Sequence, residues 1–175
     1  MGKIIFYEDR NFHGRNYEVS GDCPDVTSYL SRCCSCKVEG GCFMVYEHSN
    51  FMGFQMLVRR GVYPDNLQIM GMSDFIRSCR MIPMHIGTFR MRIFEKENFV
   101  GQKFELMDDC ESIQERFHIS DCQSCNITHG HWLMYELPNF EGRMMYIRPG
   151  EYSSFREMGL GPITVGSIRR IVESC

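Results

Sequence analysis

Two pairs of cysteines stand at a spacing that metal and redox chemistry uses. "CCSC" contains Cys33 and Cys36, and "CQSC" contains Cys122 and Cys125. A C-x-x-C pair can hold zinc or act as a thiol–disulfide redox centre. The two pairs are 86 residues apart, however, which is far outside zinc-ribbon spacing, and neither has a helix in a βαβ context. We therefore predict structural thiols, with a disulfide among Cys23, Cys33 and Cys36 left open under oxidation. A thiol redox protein stays as an alternative that the thiol pKa values would decide.

A second candidate for chemistry is "THGH", in which His129 and His131 lie two residues apart. Two histidines can bind a transition metal, but these stand at a glycine turn with no acidic partner beside them. We interpret them as surface histidines. No nucleophile elbow or Ser-His-Asp arrangement can be assembled from the motifs of the chain. We predict no enzyme, no catalytic residue, no cofactor and no metal site.

Composition limits the class of protein. The 175 residues carry a formal net charge of −3, so no electrostatic footprint for nucleic acid is visible. No apolar run approaches the roughly 20 residues of a membrane span. The opening "MGKIIFYEDR" passes directly into strand-like alternation. We expect a cytoplasmic protein that binds neither nucleic acid nor membrane.

The use of residue types is unusual. The chain has no alanine, but it has 14 Met, 10 Cys and 13 Phe. Alanine is the best intrinsic helix former, so its absence argues against a helical protein. Sulfur and aromatic side chains are soft and polarisable, and they occupy the places where Ala, Val and Leu are usual.

A short motif occurs four times. The sequences are "YEDRNFHG", "YEHSNFMG", "FEKENFVG" and "YELPNFEG", and their glycines are separated by 39, 48 and 41 residues. The longer middle gap holds the proline-containing stretch "MIPMHIG" (81–87), which is typical of a linker. "RRGVY" recurs as "RPGEY" 89 residues later, so the second and fourth units match, as "CCSC" and "CQSC" match the first and third. These repeats predict two homologous domains of two motifs each.

The segments around each motif read as strands joined by a turn. "KIIFYE", "CFMVYE", "FRMRIFE" and "HWLMYE" have the aromatic and β-branched content of strands. In the following N-F-x-G, Asn tolerates a left-handed backbone, Gly adopts positive φ, and Phe can fold back over the hairpin. A unit of about 40 residues has room for about four strands if turns come every 8–12 residues.

The aromatic–Glu–x–x–x–aromatic–x–Gly turn, with a serine 21 to 25 residues after the glycine, resembles the Greek key motif of the beta/gamma-crystallin family. The similarity runs from residue 3 to the end, and within the family it is closest to the Met-rich M-type gamma-crystallins of fish lenses. It implies an all-β fold of two homologous domains, each built from two Greek key motifs that form a pair of four-stranded antiparallel sheets. The implied domains are 1–82 (Greek keys at about 3–40 and 41–82) and 87–175 (Greek keys at about 87–129 and 130–175), with the linker at 83–86.

The resemblance also assigns structural roles to residues. In each unit the aromatic residue packs on the folded hairpin, next to the Glu and Gly of the motif, and the later serine hydroxyl bonds hairpin backbone. The sets are Tyr7, Glu8, Gly14 and Ser35; Tyr46, Glu47, Gly53 and Ser78; Phe94, Glu95, Gly101 and Ser124; and Tyr135, Glu136, Gly142 and Ser167. The resemblance further implies a domain interface between two sets of apolar residues, Met44, Leu57 and Ile82 on one side and Leu133, Tyr146 and Ile171 on the other.

The function implied is that of a structural protein of the eye lens, giving transparency and a high refractive index at high concentration. We expect a monomer in the cytoplasm of lens fibre cells, whose partners are mainly itself and other crystallins through weak contacts. The alternative is a calcium-binding module of the same fold, because microbial relatives bind calcium through two Asn/Asp, two variable residues and Ser/Thr-Ser. The corresponding segments are "LSRCCS", "SDFIRS", "ISDCQS" and "PITVGS", and all four lack the paired acidic or amide residues.

Overall fold

The computed structural model describes residues 2–66 and 76–172 of the chain. The described chain divides into two compact units, one ending at Met84 and the other spanning His85–Val172. The division lies inside the segment 83–86 that the sequence marks as a linker. Each unit has a hydrophobic core of its own, and each is described separately.

Antiparallel strands make up most of both units. The described strands of the first unit are β1 (Lys3–Tyr7), β2 (Asn16–Val19), β3 (Ser35–Gly40), β4 (Cys42–His48), β5 (Met52–Val58), β6 (Gly61–Tyr63) and β7 (Ser78–Ile82). Those of the second are β8 (Arg90–Lys96), β9 (Val100–Leu106), β10 (Ser124–His129), β11 (Trp132–Leu137), β12 (Glu141–Ile147), β13 (Gly150–Tyr152) and β14 (Ser167–Arg170).

Helical structure in the described residues is short. It comprises an α-helix at Ile113–Phe117 and 3-10 turns at Arg10–Phe12, Val26–Ser28, Glu97–Phe99 and Arg156–Met158. Within the same residues, no helix has the length and apolarity needed to cross a membrane.

The strand order confirms the predicted all-β fold of two Greek key units. In the first unit the sheets run β2-β1-β3-β6 and β5-β4-β7, and in the second they run β13-β10-β8-β9 and β12-β11-β14. All the described strand pairs are antiparallel. The strand β6 belongs to the second motif, yet it pairs with β3 of the first, and β13 pairs with β10 in the same way. The two motifs of a unit are therefore interlocked.

The fourth position of the smaller sheet in each unit is reduced to a single residue pair. The backbone of Cys23 pairs with that of Cys79 on β7 through hydrogen bonds, without a disulfide. The backbone of Cys110 pairs with that of Ile168 on β14 in the same way. After Cys23 the chain passes through Pro24 and Asp25 into the 3-10 turn Val26–Ser28. After Cys110 the chain turns into the α-helix instead, where the hydroxyl of its N-cap Ser112 accepts from the Glu115 N–H. Local sequence thus stops these strands after one residue.

Side-chain alternation explains how the strands build each core. Along β8, Met91 and Ile93 are fully buried, whereas Arg90 and Arg92 are exposed, which is the two-residue period of a strand with one face in a core. Trp132 lies in the centre of the second core and is itself fully buried. In the first unit Phe43, which is also fully buried, has the corresponding position on β4. Two cores of this kind hold the four hairpins in place.

Candidate functional site: four folded hairpins

The Asn-Phe pair of each motif has a left-handed backbone. The φ angles are 55° and 62° at Asn11 and Phe12, and the same pair has values of 59° to 62° in the other three hairpins. Asn adopts this conformation readily, but for a residue with a bulky side chain it costs about 1–2 kcal/mol. The sequence predicts left-handed Asn and Gly, and it does not predict the left-handed Phe. Something in each hairpin must hold the strained residue.

A serine hydroxyl supplies that restraint. Ser35 Oγ accepts from the Phe12 N–H at 3.1 Å and donates to the Asp9 carbonyl oxygen at 2.6 Å. The other three serines do the same with their own hairpins: the amide bonds are 2.9–3.1 Å and the carbonyl bonds are 2.5–2.6 Å for Ser78, Ser124 and Ser167. All four serines are completely buried. Each hydroxyl therefore satisfies two backbone groups that the turn leaves without a partner in its own strands.

The aromatic residue of each motif covers the strained phenylalanine. Tyr7 and Phe12 meet edge to face, with ring centroids 5.6 Å apart and planes at 68°. The equivalent pairs have centroid distances of 5.5–5.8 Å and angles of 65–76°, and they are Tyr46–Phe51, Phe94–Phe99 and Tyr135–Phe140. Because Phe94 has the same geometry without a hydroxyl, the ring rather than the phenol oxygen makes this contact.

The glycine of each motif leaves room for the Glu corner beneath it. Gly14 has φ +78°, and a Cβ there would lie 2.7 Å from an Asp9 carboxylate oxygen and 3.1 Å from Glu8 Cβ. At Gly101 the added atom would lie 2.7 Å from Glu95 Oε1. Gly53 and Gly142 have the same positive φ, with the side chains of residues 47–48 and 136–137 in the same position. Only glycine fits both the backbone and the space.

The glutamates fall into two groups. Glu8 is buried and accepts from the Arg15 guanidinium at 2.8 Å and from the Ser31 hydroxyl at 2.8 Å. These bonds, with Arg15 the stronger influence, lower the pKa of Glu8 to about 2. Glu136 pairs with Arg143 in the same way at 2.6 Å, which lowers its pKa.

The middle two hairpins have no arginine at the position that follows the glycine. The sequence there is Phe54 and Gln102 in place of Arg15 and Arg143. Glu47 accepts instead from the Phe54 amide N–H at 3.2 Å. The first and fourth hairpins therefore carry an ion pair that the corresponding residues of the second and third cannot form.

Contacts between motifs are a feature that sequence reasoning missed. The backbone N–H of each hairpin asparagine donates to a carbonyl oxygen in the other motif of its unit. These bonds run from Asn11 to Pro64, from Asn50 to Pro24, from Asn98 to Ser153 and from Asn139 to Glu111, at 2.8–2.9 Å. Backbone bonds of this kind leave no signal in residue type. They tie each hairpin to the motif with which it shares a core.

Cations over the hairpin were also missed, although the repeat contains their signal. Lys37 lies two residues after Ser35, and its Nζ is 4.5 Å from the centroid of the Phe12 ring. Arg80 has the same place after Ser78, and its guanidinium carbon is 3.9 Å from the Phe51 centroid. A cation over an aromatic face is attracted by the ring quadrupole. The equivalent of Lys37 in the third unit is Asn126, so this contact differs between repeats.

The residues predicted to form a domain interface lie at matching positions within each unit. Met44 is the cross-strand partner of Leu57, as Leu133 is of Tyr146. All six are buried, including Ile82 and Ile171. Met44 alternates with core residues of β4 and so lies on the other face of its sheet. Their contact with each other stays a prediction.

The cysteine pairs do not have the properties of redox thiols. Among the described residues, eight cysteines are thiols outside any disulfide, while Cys42 is disulfide-bonded. Burial raises the pKa of Cys33 and of Cys122 to about 12, and it raises those of Cys36 and Cys125 well above the ordinary range. A redox nucleophile needs a lowered pKa and access to solvent. The four thiols are core-filling side chains.

The interpretation of "THGH" as two surface histidines is wrong for His131. Its ring is buried, and its Nδ1 lies 2.6 Å from the Tyr146 hydroxyl. Burial, with the nearby Arg148 and His85, lowers the pKa of His131 to about 4. His129 is exposed, as expected. The partner of His131, Tyr146, lies on β12, and the residue types of "THGH" do not indicate this contact.

Oxygen atoms of the segments that correspond to the calcium-binding pattern of the microbial relatives are used within the fold. Asp121 Oδ1 accepts from the Cys122 and Val165 amides at 2.7 and 3.0 Å, and Ser124 bonds its hairpin. Within the described part of the chain, no group of three or more His, Cys, Asp or Glu residues is placed to hold a metal. Residues 73–75 of the second segment lie outside that part.

Comparison with known proteins agrees with this geometry. The beta/gamma crystallin family model matches residues 3–82 and 90–171. The chain belongs to the beta/gamma crystallin family. It is 59% identical to gamma-crystallin M3 of Cyprinus carpio and 58% identical to gamma-crystallin M1 of Chiloscyllium indicum, with full coverage of both chains in each case. It is 52% identical to gamma-crystallin B of Rattus norvegicus, with 99% of each chain covered.

The crystallin family settles the class of function. Like the gamma-crystallins that it matches from end to end, the chain is a structural protein of the eye lens and is not an enzyme. The resemblance to the M-type proteins of fish is likewise confirmed. The four hairpins with their buried serines are therefore parts of a structural protein.

Proposed function

We propose that the protein serves as a densely packed monomer in the cytoplasm of lens fibre cells. Its contacts with itself and with other crystallins would be weak. In this role the four hairpins, each held by a buried serine, stabilise the fold. The polarisable side chains throughout the molecule raise the refractive index. The motif residues from Tyr7 to Ser167 then act through stability rather than through chemistry.

The observation that carries this proposal is the polarisability of the residues that the chain uses. Refractive index rises with electronic polarisability per unit mass. Sulfur, aromatic rings and the delocalised guanidinium contribute more to it than alanine or lysine side chains do. The chain has 14 Met, 13 Phe and no Ala, and 15 of its 19 basic residues are arginine. Some of this methionine fills the cores, as Met91 and Met134 do without any exposure.

The arginines serve a second purpose, because many of them neutralise acids of their own chain. Ion pairs at 2.6–3.3 Å join Arg15 to Glu8, Arg32 to Asp9, Arg90 to Glu105, Arg116 to Asp108, Arg143 to Glu136 and Arg170 to Asp109. Exposed pairs add little to stability. They do leave a surface of mixed sign and a net charge of only −3, which supports close packing without strong repulsion.

Differential refractometry tests the optical role. The refractive increment of the purified reduced protein should exceed that of an ordinary cytosolic protein measured in the same buffer. An increment no higher than that control would remove the compositional argument.

Sedimentation and light scattering test the proposed monomer. A mass of 20.5 kDa at low concentration, with a small second virial coefficient as concentration rises, is the expected result. A stable dimer would contradict it.

A calorimetric calcium titration separates the alternative function, because saturable micromolar binding would favour a calcium module and its absence would favour the structural role.

A further inference from the structure

Two tyrosines of the first unit lie face to face outside the hairpins. Tyr17 on β2 and Tyr29, which follows the 3-10 turn Val26–Ser28, have ring centroids 3.9 Å apart and planes within 7° of parallel. The hairpin rings meet edge to face instead. All eight tyrosines of the sequence lie in the described residues, and among the ring contacts described there this is the pair made of two phenols.

We propose that Tyr17 and Tyr29 form a modification site, where oxidation joins them into an intramolecular dityrosine. Radical coupling requires two phenol rings to be in contact, and parallel rings at this distance bring their ortho carbons to about van der Waals separation. Tyr29 is 53% exposed, so an oxidant in solution can reach it. Tyr17 is partly buried, and its ring is stacked against the Tyr29 ring. This site lies beyond the optical and structural role of the fold.

The reaction balances with hydrogen peroxide as the oxidant and a haem peroxidase as the one-electron catalyst. Each phenol loses one electron and one proton and becomes a phenoxyl radical. The two radicals join through a carbon–carbon bond between ortho positions, and the two ring hydrogens move to the phenol oxygens, which restores aromaticity. The peroxide takes up the two electrons and two protons and becomes two molecules of water.

The two phenols interact with each other and border a cleft. The Tyr29 hydroxyl and burial together raise the pKa of Tyr17 to about 12, so Tyr17 is a neutral phenol at neutral pH. The pair borders an open cleft of about 310 Å³, which Asp22, Cys23 and Asp25 also line. Cys23 is a buried free thiol with a raised pKa, so it does not react as a thiolate.

The second unit provides an internal comparison. Phe104 on β9 lies opposite Ile93 on β8, just as Tyr17 on β2 lies opposite Phe6 on β1. It stacks on Phe117, with centroids 4.6 Å apart and planes at 25°. The stacked pair is thus present in both units as a packing device, but phenylalanine has no phenol to oxidise. Only the first unit can be cross-linked at this place.

Peptide mapping tests the proposal sharply because of where the arginines lie. Trypsin cleaves after Arg15 and Arg32, so Tyr17 and Tyr29 fall in one peptide, residues 16–32. After peroxidase and hydrogen peroxide, then reduction and alkylation, we expect this peptide to lose two hydrogens in mass. A second cleavage before Asp22 and Asp25 should leave its two ends joined.

The matched variants are Tyr29→Phe and Tyr63→Phe, which each remove one hydroxyl and keep the ring. The lighter peptide and the dityrosine fluorescence should persist in Tyr63→Phe and be lost in Tyr29→Phe, with circular dichroism showing both folded. N-acetyltyrosine oxidised in parallel shows that the reagent works. The proposal is overturned if dityrosine joins peptides of two molecules instead, if Tyr29→Phe gives the same product, or if no dityrosine forms.

Discussion

Replacing Ser167 with alanine tests whether a buried hydroxyl holds each strained hairpin. The change removes the bond from the Phe140 N–H at 2.9 Å and the bond to the Leu137 carbonyl at 2.6 Å. Both partners stay in place beside a residue with no solvent exposure, so two backbone groups lose their partner inside the fold. At about 1–2 kcal/mol for each such group, we expect a loss of about 2–4 kcal/mol in the free energy of unfolding.

The chain offers a reporter for this measurement. Trp132 is the single tryptophan, and it is fully buried in the second unit. It lies on β11, the strand that pairs with β14, where Ser167 lies. Its emission during urea unfolding follows that unit alone. With a slope of about 2 kcal/mol per molar urea, the midpoint should fall by roughly 1–2 M. The exposed Ser153 gives the control, Ser153→Ala, which should not move the midpoint.

A small shift for Ser167→Ala, equal to that of the control, would refute the reasoning. It would mean that water or a rearranged turn satisfies the two groups at no cost. A large shift together with a changed slope would show that the unit no longer unfolds in one step, and the free energies could not then be compared.

Three further predictions concern pH and the turn glycines. Glu8→Gln should lower the melting temperature at neutral pH and make it depend less on pH in acid. The native pKa of Glu8, about 2, lies below the ordinary 4.5, so the wild type loses the stability that this ion pair provides as pH falls from about 4.5 towards 2. In the wild type the free energy of unfolding should fall as pH drops from 6.5 to 5, because unfolded His131 gains a proton that the native state, with a pKa of about 4, does not take up. His131→Gln should remove this pH dependence, whereas His129→Gln, at an exposed ring, should keep it. Equal pH dependence in the two variants would contradict the prediction. Gly14→Ala should cost at least about 1–2 kcal/mol by circular dichroism melting, because φ is positive and the corner side chains crowd the new methyl group; Gly21→Ala, where nothing lies within 4 Å, should cost less, and an equal cost would count against the crowding argument.

The repeated motif predicts the fold well because its residues act locally. The Asn and Gly of N-F-x-G predict the positive φ values, and strand-like segments before them predict the corner aromatics. The left-handed Phe12 could not be predicted, since its conformation is unfavourable by itself and depends on Ser35, which is 23 residues away. Tertiary contact overrides local preference there.

Other features escaped prediction for the same reason. Residue type says nothing about the backbone bond from Asn11 to Pro64, which depends on how two motifs meet. The buried ring of His131 meets Tyr146, which is 15 residues further along the chain. Lys37 and Arg80 could have been found, because both stand two residues after the motif serine.

The exchange of β6 into the sheet of the first motif bears on synthesis of the chain. When residues 1–40 have left the ribosome, the outer edge of β3 has no partner, because the strand that covers it ends at Tyr63. An open edge of this kind is a template for pairing with another nascent chain. The hazard increases with the amount of this chain that a cell makes at one time. A nascent chain that ends before β6 therefore keeps the edge of β3 exposed. A translational pause before Tyr63 has been made would promote aggregation more than a pause after it.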